Sequence, residues 1–481
     1  MIVNVLVERY HKLSEAKKAT IWFAVCSFLQ RGISTLTTPV FTRLLLPGEY
    51  GEYSVFMSWL EIITVIVTLR LYHAIYMKNL VSFPEDRDEY SSCMLSLSIL
   101  LSFLWFVVYL FLREKINDFL GLDSILVTCL FIFTICSSSF GFWSGRERVD
   151  FQYKSLILVT ISTSVLKPLV SIVFIILAPA HRVYARIFGL IVVEVIIYGI
   201  LLYKQFSKGH LIYNKNYWIQ GIRFNLPLVP HYLSQIILNH SDRIMIQRLC
   251  DDTAAGVYSV AYNIAMVMIL FNTSINNTLS PWTFKKLKNK AYNSINTIGV
   301  STASFVAVIN FILILIAPEV LKLFAPQKYQ AAIYVIPPVS ISVYFMFLYA
   351  LFVNVEMYYG YNKYVMAASV VGALLNIVLN YYFIPQYGFI AAAYTTLTCY
   401  IIYSLLHGLF CYVVCQKEAI QPFLYNIRLI LFITIVFCAS SFGAMLLYPY
   451  LTLRYFLIAI FIMIIFIKKD HLISKLSLFL K

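Results

Sequence analysis

Three cations, Arg31, Lys167 and Arg243, each fall inside a long apolar run of this sequence. An isolated charge at the centre of a bilayer costs about 2.5–3.5 kcal/mol on insertion scales, so such groups are expected to face protein or water. Their neighbours at helical spacing are polar. At 100° per residue, His231, Gln235, Asn239 and Asp242 share a face of about 80°, with Arg243 flanking it. Gln30, Arg31, Ser34, Thr35, Thr38 and Thr42 fall within about 140°, and Thr160, Thr163, Ser164, Lys167 and Ser171 within about 100°. Asn276 lies in a fourth cluster with Thr273, Asn277 and Ser280, and Asn376 and Asn380 in a fifth with Ser369 and Gly372. Glu61 and Glu194 are equally anomalous in their apolar surroundings. They are expected to pair with cations or to carry protons. Together these faces describe a hydrated, electropositive cavity suited to an anionic substrate. Arginine can clamp a phosphate with two donors, while lysine acts as a point charge. Hydroxyl and amide groups can also simply join helices, and a lone intramembrane histidine such as His231 is most often a plain hydrogen-bonder.

The elements that must position these residues are membrane helices. Hydrophobic residues make up 61% of the 481-residue chain and charged residues 12%, about half the charged share of a soluble domain. Apolar runs of about 20 residues, each long enough to cross the hydrocarbon layer, are placed at 20–45, 51–71, 91–112, 123–145, 155–178, 184–206, 222–249, 254–283, 296–317, 332–355, 363–384, 388–412, 424–447 and 450–467. The fold class is therefore an all-α polytopic membrane protein with about fourteen transmembrane helices.

The net charge of +15 invites a nucleic-acid partner, but its distribution argues against one. Counting residues near span ends with the adjoining loops, 25 of the 37 lysines and arginines lie on the side that holds both termini, 9 on the opposite side and 3 (Arg31, Lys167 and Arg243) deep within spans. That bias places both termini in the cytoplasm. Residues 1–18 are polar and partly amphipathic, the reverse of a cleavable apolar signal core, and are expected to form an interfacial segment. Nine scattered cysteines include no Cys-x-x-Cys pair. With no ligand-spaced His/Asp/Glu cluster and no glycine-rich phosphate loop either, no metal, cofactor or catalytic residue is expected.

Two stretches match at a constant offset. Arg43, Leu44, Gly51, Tyr53, Ser54 and Val55 correspond to Arg248, Leu249, Gly256, Tyr258, Ser259 and Val260, and Gln30 falls opposite Gln235. The copies lie six spans apart and share one orientation. This implies two six-helix lobes related by an axis along the membrane normal, an arrangement in which transporters bind substrate between the halves. The expected organisation is an interfacial segment (1–18), an N-terminal lobe (19–206), a cytoplasmic linker (207–221), a C-terminal lobe (222–412), and two additional helices with a basic tail (413–481).

The segment Leu238–Leu249 (LNHSDRIMIQRL), running on to AGVYSVAY at 255–262, resembles the polysaccharide-lipid flippases, O-antigen or Wzx-type, of the multidrug/oligosaccharidyl-lipid/polysaccharide (MOP) exporter superfamily. PGEYGEYS at 47–54, NLPLVP at 225–230, NIVLN at 376–380 and IPQYGFIAAA at 384–393 fit the same likeness, which covers roughly residues 15–415. The resemblance implies two lobes in a V around a central cavity and alternating access. It implies as substrate an oligosaccharide joined by pyrophosphate to undecaprenol, carried across the bacterial inner membrane toward O-antigen, lipopolysaccharide or capsule. Asp242 and Arg243 occupy the family's Asp-Arg element, whereas Arg31 and Lys167 match only its habit of a cationic cavity. Membrane lipids surround such a protein, and a polysaccharide polymerase and a chain-length regulator are its expected neighbours. The alternatives are a lipid II flippase, favoured by the extra terminal helices, a drug–cation antiporter, disfavoured by the basic cavity, and a membrane polymerase or glycosyltransferase. Short outer loops disfavour the enzyme.

Overall fold

The computed structural model describes residues 14–421 and 423–467. Bilayer hydrocarbon offers no hydrogen bonds to a backbone, so a spanning chain must satisfy its own, and helices do so within one segment. The described residues are accordingly helical, with no strand. The helices are α1 (Glu15–Leu44), α2 (Pro47–Thr68), α3 (Ala74–Ser82), α4 (Arg87–Phe111), α5 (Arg113–Leu120), α6 (Ser124–Val149), α7 (Tyr153–Leu177), α8 (Arg182–Gly209), α9 (Lys215–Asn225), α10 (Val229–Leu249), α11 (Asp252–Ala265), α12 (Met268–Lys288), α13 (Tyr292–Leu315), α14 (Ala317–Phe324), α15 (Ile336–Tyr358), α16 (Asn362–Tyr387), α17 (Phe389–Lys417), α18 (Ile427–Leu446) and α19 (Leu451–Ile467). Each of the fourteen expected spans corresponds to one long helix or a broken pair, and residues 424–467 form two helices rather than one.

Ten of these helices are long and apolar enough to cross a membrane, and the pair α11–α12, bent by 40°, makes an eleventh. Their outward residues are bare hydrocarbon: Leu158, Leu169 and Ile176 on α7 and Leu374 on α16 are each more than half exposed. Apolar surface this extensive marks a membrane-facing protein. The chain is a multi-pass membrane protein. Two of the remaining helices, α1 and α10, hold the polar stripes, which lower their apolarity. They are the first helices of the two sequence repeats.

The repeat is visible in the geometry. α1 ends at Leu44 and α2 begins at Pro47, while α10 ends at Leu249 and α11 begins at Asp252, a two-residue break in each. The equivalent hydroxyls make equivalent bonds, Ser54 Oγ to Tyr50 O at 2.8 Å and Ser259 Oγ to Ala255 O at 2.7 Å. Each break is closed by a carboxylate of the following helix or its cap. Glu49 accepts from the Leu46 N–H at 2.7 Å. Asp251 accepts from the Ala254 N–H at 2.7 Å. Each satisfies a backbone donor that a helix start leaves open.

Two compact units divide the chain, Met1–Gln247 and Arg248–Lys481. The division falls within the last turn of α10, between Gln247 and Arg248. The stretch expected as a linker is partly helical and anchored. Trp218 Nε1 donates to Cys93 O at 3.0 Å, and Asn79 donates to Gln220 Oε1 at 3.1 Å. Span seven is also not continuous. A 3-10 turn at Leu226–Leu228 separates α9 from α10, where Pro227 and Pro230 remove two backbone donors. Of the expected interfacial segment, residues 1–13 lie outside the described residues, and Glu15–Lys18 already belong to α1. The basic tail at 468–481 also lies outside them.

The first unit packs around Tyr76, whose hydroxyl donates to Phe142 O at 3.0 Å and whose ring meets Phe142 edge-on at 4.8 Å. Tyr90, Met94 and Leu95 complete this core. In the second unit α15 is enclosed along its length, with Tyr344, Phe347 and Val355 fully buried.

Candidate functional site

In the first unit, Lys167 of α7 and Glu194 of α8 form an ion pair at 2.5 Å. The Lys167 ammonium also lies 5.3 Å from the centre of the Tyr198 ring. Tyr198 stacks in turn on Phe140 at 4.9 Å. Glu194 is 8% exposed, and its second oxygen is buried with no hydrogen-bond donor. A carboxylate accepts several bonds when ionised, so this one retains acceptor capacity beside its lysine.

α10 carries the densest polar stripe. Asn239 donates to Gln235 O at 2.7 Å and Arg243 Nη1 donates to Asn239 O at 2.9 Å. The stripe thus runs up its own helix, each side chain on the turn before it. Asp242 is fully buried and Arg243 is 7% exposed. His231 opens the stripe, and its Nδ1 is buried without a partner.

A second cluster joins the start of α10 to the end of α2. Leu69 and Arg70 both have left-handed backbone, φ 51° and 47°, a conformation that side chains adopt at a cost. The turn holds Arg70 with Nη2 3.9 Å from Glu61 and the guanidinium 5.5 Å from the Tyr232 ring. Tyr232 lies between the rings of His231 and His73, at 5.9 and 6.3 Å. Loss of hydration and then the charges of Arg70 and Arg148 hold His73 down to about 4, so it is neutral near pH 7. The Arg70 Nε is buried and unpartnered. The result is one carboxylate, one guanidinium and two imidazoles around a tyrosine, an arrangement able to hold an anion.

Arg31 is exposed on α1, and its side chain makes no hydrogen bond or ion pair among the described residues. In the second unit the expected residues serve as fasteners between helices. Asn276 accepts from Asn354 at 3.0 Å. Asn376 and Asn380, both fully buried, form a seam between α16 and α17. Asn376 donates to Thr396 at 3.3 Å, Asn380 donates to Asn376 at 3.3 Å, and Thr395 donates to Asn380. Hydroxyls of the next helix thus supply partners for this Asn stripe, as an amide between helices requires.

Four groups escaped the sequence analysis. Arg70, at the end of span two, was counted with the adjoining loop. Glu356 lies one residue past the span edge drawn at 355. It and His407 are fully buried, His407 Nδ1 lying 2.9 and 3.2 Å from its two oxygens. Arg186, at the start of span six and counted with the adjoining outer loop, is 6% exposed in a cage of Tyr53 at 3.4 Å, Phe41 at 4.0 Å and Tyr50 at 5.1 Å. Tyr53 belongs to the repeat motif, which was the available signal. Among the described residues no group of three His, Cys, Asp or Glu is placed to hold a metal ion.

The chain is similar to known proteins across this geometry. Residues 16–286 match the family described as polysaccharide biosynthesis protein, and residues 227–382 match the MatE family. Lsg locus putative protein 1 of Haemophilus influenzae is 24% identical over 187 residues, 37% of this chain and 46% of that one, so the match spans about half of that relative. Among solved structures, the lipid II flippase MurJ in an inward closed conformation superposes with TM-score 0.66 at 14% identity, covering 94% of this chain and 99% of that one. An inward-facing MATE family multidrug resistance transporter of the MOP superfamily gives 0.64 at 13% identity, covering 80% and 96%. The family match takes in more than half of the residues, including α1, α7, α8, α10 and the Asp242–Arg243 element, and the fold is that of the MOP superfamily: the chain belongs to the polysaccharide biosynthesis protein family.

Proposed function

We propose that this protein is a flippase that carries an undecaprenyl-pyrophosphate-linked oligosaccharide, an O-antigen or capsule repeat unit, across the bacterial inner membrane by alternating access, with both termini cytoplasmic. The observation that carries the reading is the set of charged side chains held inside apolar helices, Lys167 with Glu194 and Asp242 beside Arg243. A pyrophosphate–sugar head cannot cross hydrocarbon, because burying its charges and hydroxyls unpaired is prohibitive. A path lined by cations and amides removes that penalty while the lipid tail stays in the bilayer. In this reading Arg31, Lys167 and Arg243 meet the pyrophosphate. His231, Gln235, Asn239 and Asp242 line the path, and Glu61 and Glu194 serve pairing or coupling. Asn276, Asn376 and Asn380 keep the second unit's helices in register. A polysaccharide polymerase and a chain-length regulator would receive the product.

The length of the MurJ likeness, 94% of this chain, favours one second reading, a lipid II flippase. Two complementations separate them. Expression in a strain lacking its O-antigen flippase should restore surface glycan, scored by immunoblot, and expression in a strain depleted of its lipid II flippase should not restore growth. The reverse pattern would replace the first reading by the second.

A further inference from the structure

The second unit contains a cavity of about 1080 Å³ among α13, α15, α17 and α18. Its inner wall is apolar, built from Phe345, Leu348 and Phe352. Its outer lip is formed by Leu405 and Leu409, 56% and 61% exposed. These helices lie in the bilayer, so the lip faces hydrocarbon. An apolar hollow open to hydrocarbon fills with hydrocarbon rather than water, since water there would find no polar partners.

The other end is polar. Tyr292, Asn293, Asn296 and Arg428 stand where α13 and α18 begin. Asn296 is engaged, accepting the Asn426 N–H at 2.7 Å. The Arg428 guanidinium has no hydrogen bond or ion pair among the described residues, and the residue is exposed. The charge bias of the loops puts this end on the cytoplasmic side, where anionic lipids attract basic side chains near the surface.

We propose that this cavity is a resident-lipid site for an anionic glycerophospholipid, with an acyl chain against Phe345, Leu348 and Phe352 and the phosphate on Arg428. Such a lipid bridges α18 to α13 and α17. The site is independent of the transport reading, and none of its lining residues is assigned to the substrate path.

The test is native mass spectrometry of the delipidated full-length protein titrated with phosphatidylglycerol and with phosphatidylcholine of the same chains. Phosphatidylglycerol should bind about fivefold more tightly, the worth of one basic contact at the surface. Arg428→Gln should erase that preference while phosphatidylcholine still binds. Leu405→Trp, an exposed position that tolerates bulk, should fill the lip and weaken both lipids. Equal affinities in the wild type, a preference that survives Arg428→Gln, or binding indifferent to Leu405→Trp would each overturn the site. Undecaprenyl phosphate displacing phosphatidylglycerol at equal concentration would overturn it in favour of a polyprenyl-tail site.

Discussion

Lys167 and Glu194 meet at 2.5 Å within the first unit, joining α7 to α8 in the middle of apolar helices. Neither residue would be stable there alone. Breaking a buried pair by removing one partner typically costs about 3–5 kcal/mol, whereas replacing both can be neutral. This asymmetry allows folding and transport to be separated.

Lys167→Met and Glu194→Gln should each lower the melting temperature in detergent, by the equivalent of about 3 kcal/mol. The double variant should recover most of that loss. Glycan output should stay low in the double variant, because the cation is still missing. Recovery of output together with stability would make the pair purely structural.

Arg243→Ala should abolish surface glycan while the protein still inserts, measured by immunoblot of glycan and of membrane fractions. Asp242→Asn should give a similar loss, since the two residues form one element on α10. Normal glycan from either variant would remove it from the substrate path.

Asn380→Ala tests the opposite assignment. It leaves Asn376 and Thr395 short of a partner in the α16–α17 seam, at a cost of about 1 kcal/mol. Thermal stability should fall modestly, and glycan output per folded molecule should be unchanged. A loss of output at full stability would return Asn380 to the substrate path.

Glu319 of α14 receives two bonds of 2.8 Å from Arg454 of α19. Burial pushes the Glu319 carboxyl up, but the Arg454 hydrogen bonds and charge outweigh it, and the net shift is downward. A folded value below the unfolded one means that the unfolded chain takes up the proton first as pH falls. The contribution is therefore full above the ordinary carboxylate range, near 4.3, and lost as pH drops through the folded value. Glu319→Gln should melt lower than wild type at pH 7, and the gap should close as the pH falls below the ordinary carboxylate range. A gap that widens on acidification would reverse the sign.

The membrane architecture was plain in the sequence because length and apolarity alone decide a span. Its edges were not. Glu356 was lost by one residue and Arg186 by counting the first residues of span six with the loop before it, since hydropathy has no sharp step at an interface. The broken span at 252–288 was missed because no proline or glycine marks the bend at Met266 and Val267. Helical periodicity found the α10 stripe, whose residues bond along their own helix. It could not show which stripes also bond to a neighbour: Asn376 and Asn380 meet Thr396 and Thr395, which belong to the next helix. Arg70 was invisible for a different reason. Its role comes from two consecutive left-handed residues, and nothing in Leu69-Arg70 announces that turn.

The most direct test of the central claim is translocation itself. The purified protein, reconstituted into vesicles loaded on one leaflet with a radiolabelled undecaprenyl-pyrophosphate-linked oligosaccharide, should move the label to the other leaflet faster than protein-free vesicles do. The Lys167→Met/Glu194→Gln double variant should move it more slowly at equal folded amount. Wild-type protein that moves the label no faster than empty vesicles, while remaining folded and correctly inserted, would contradict the account.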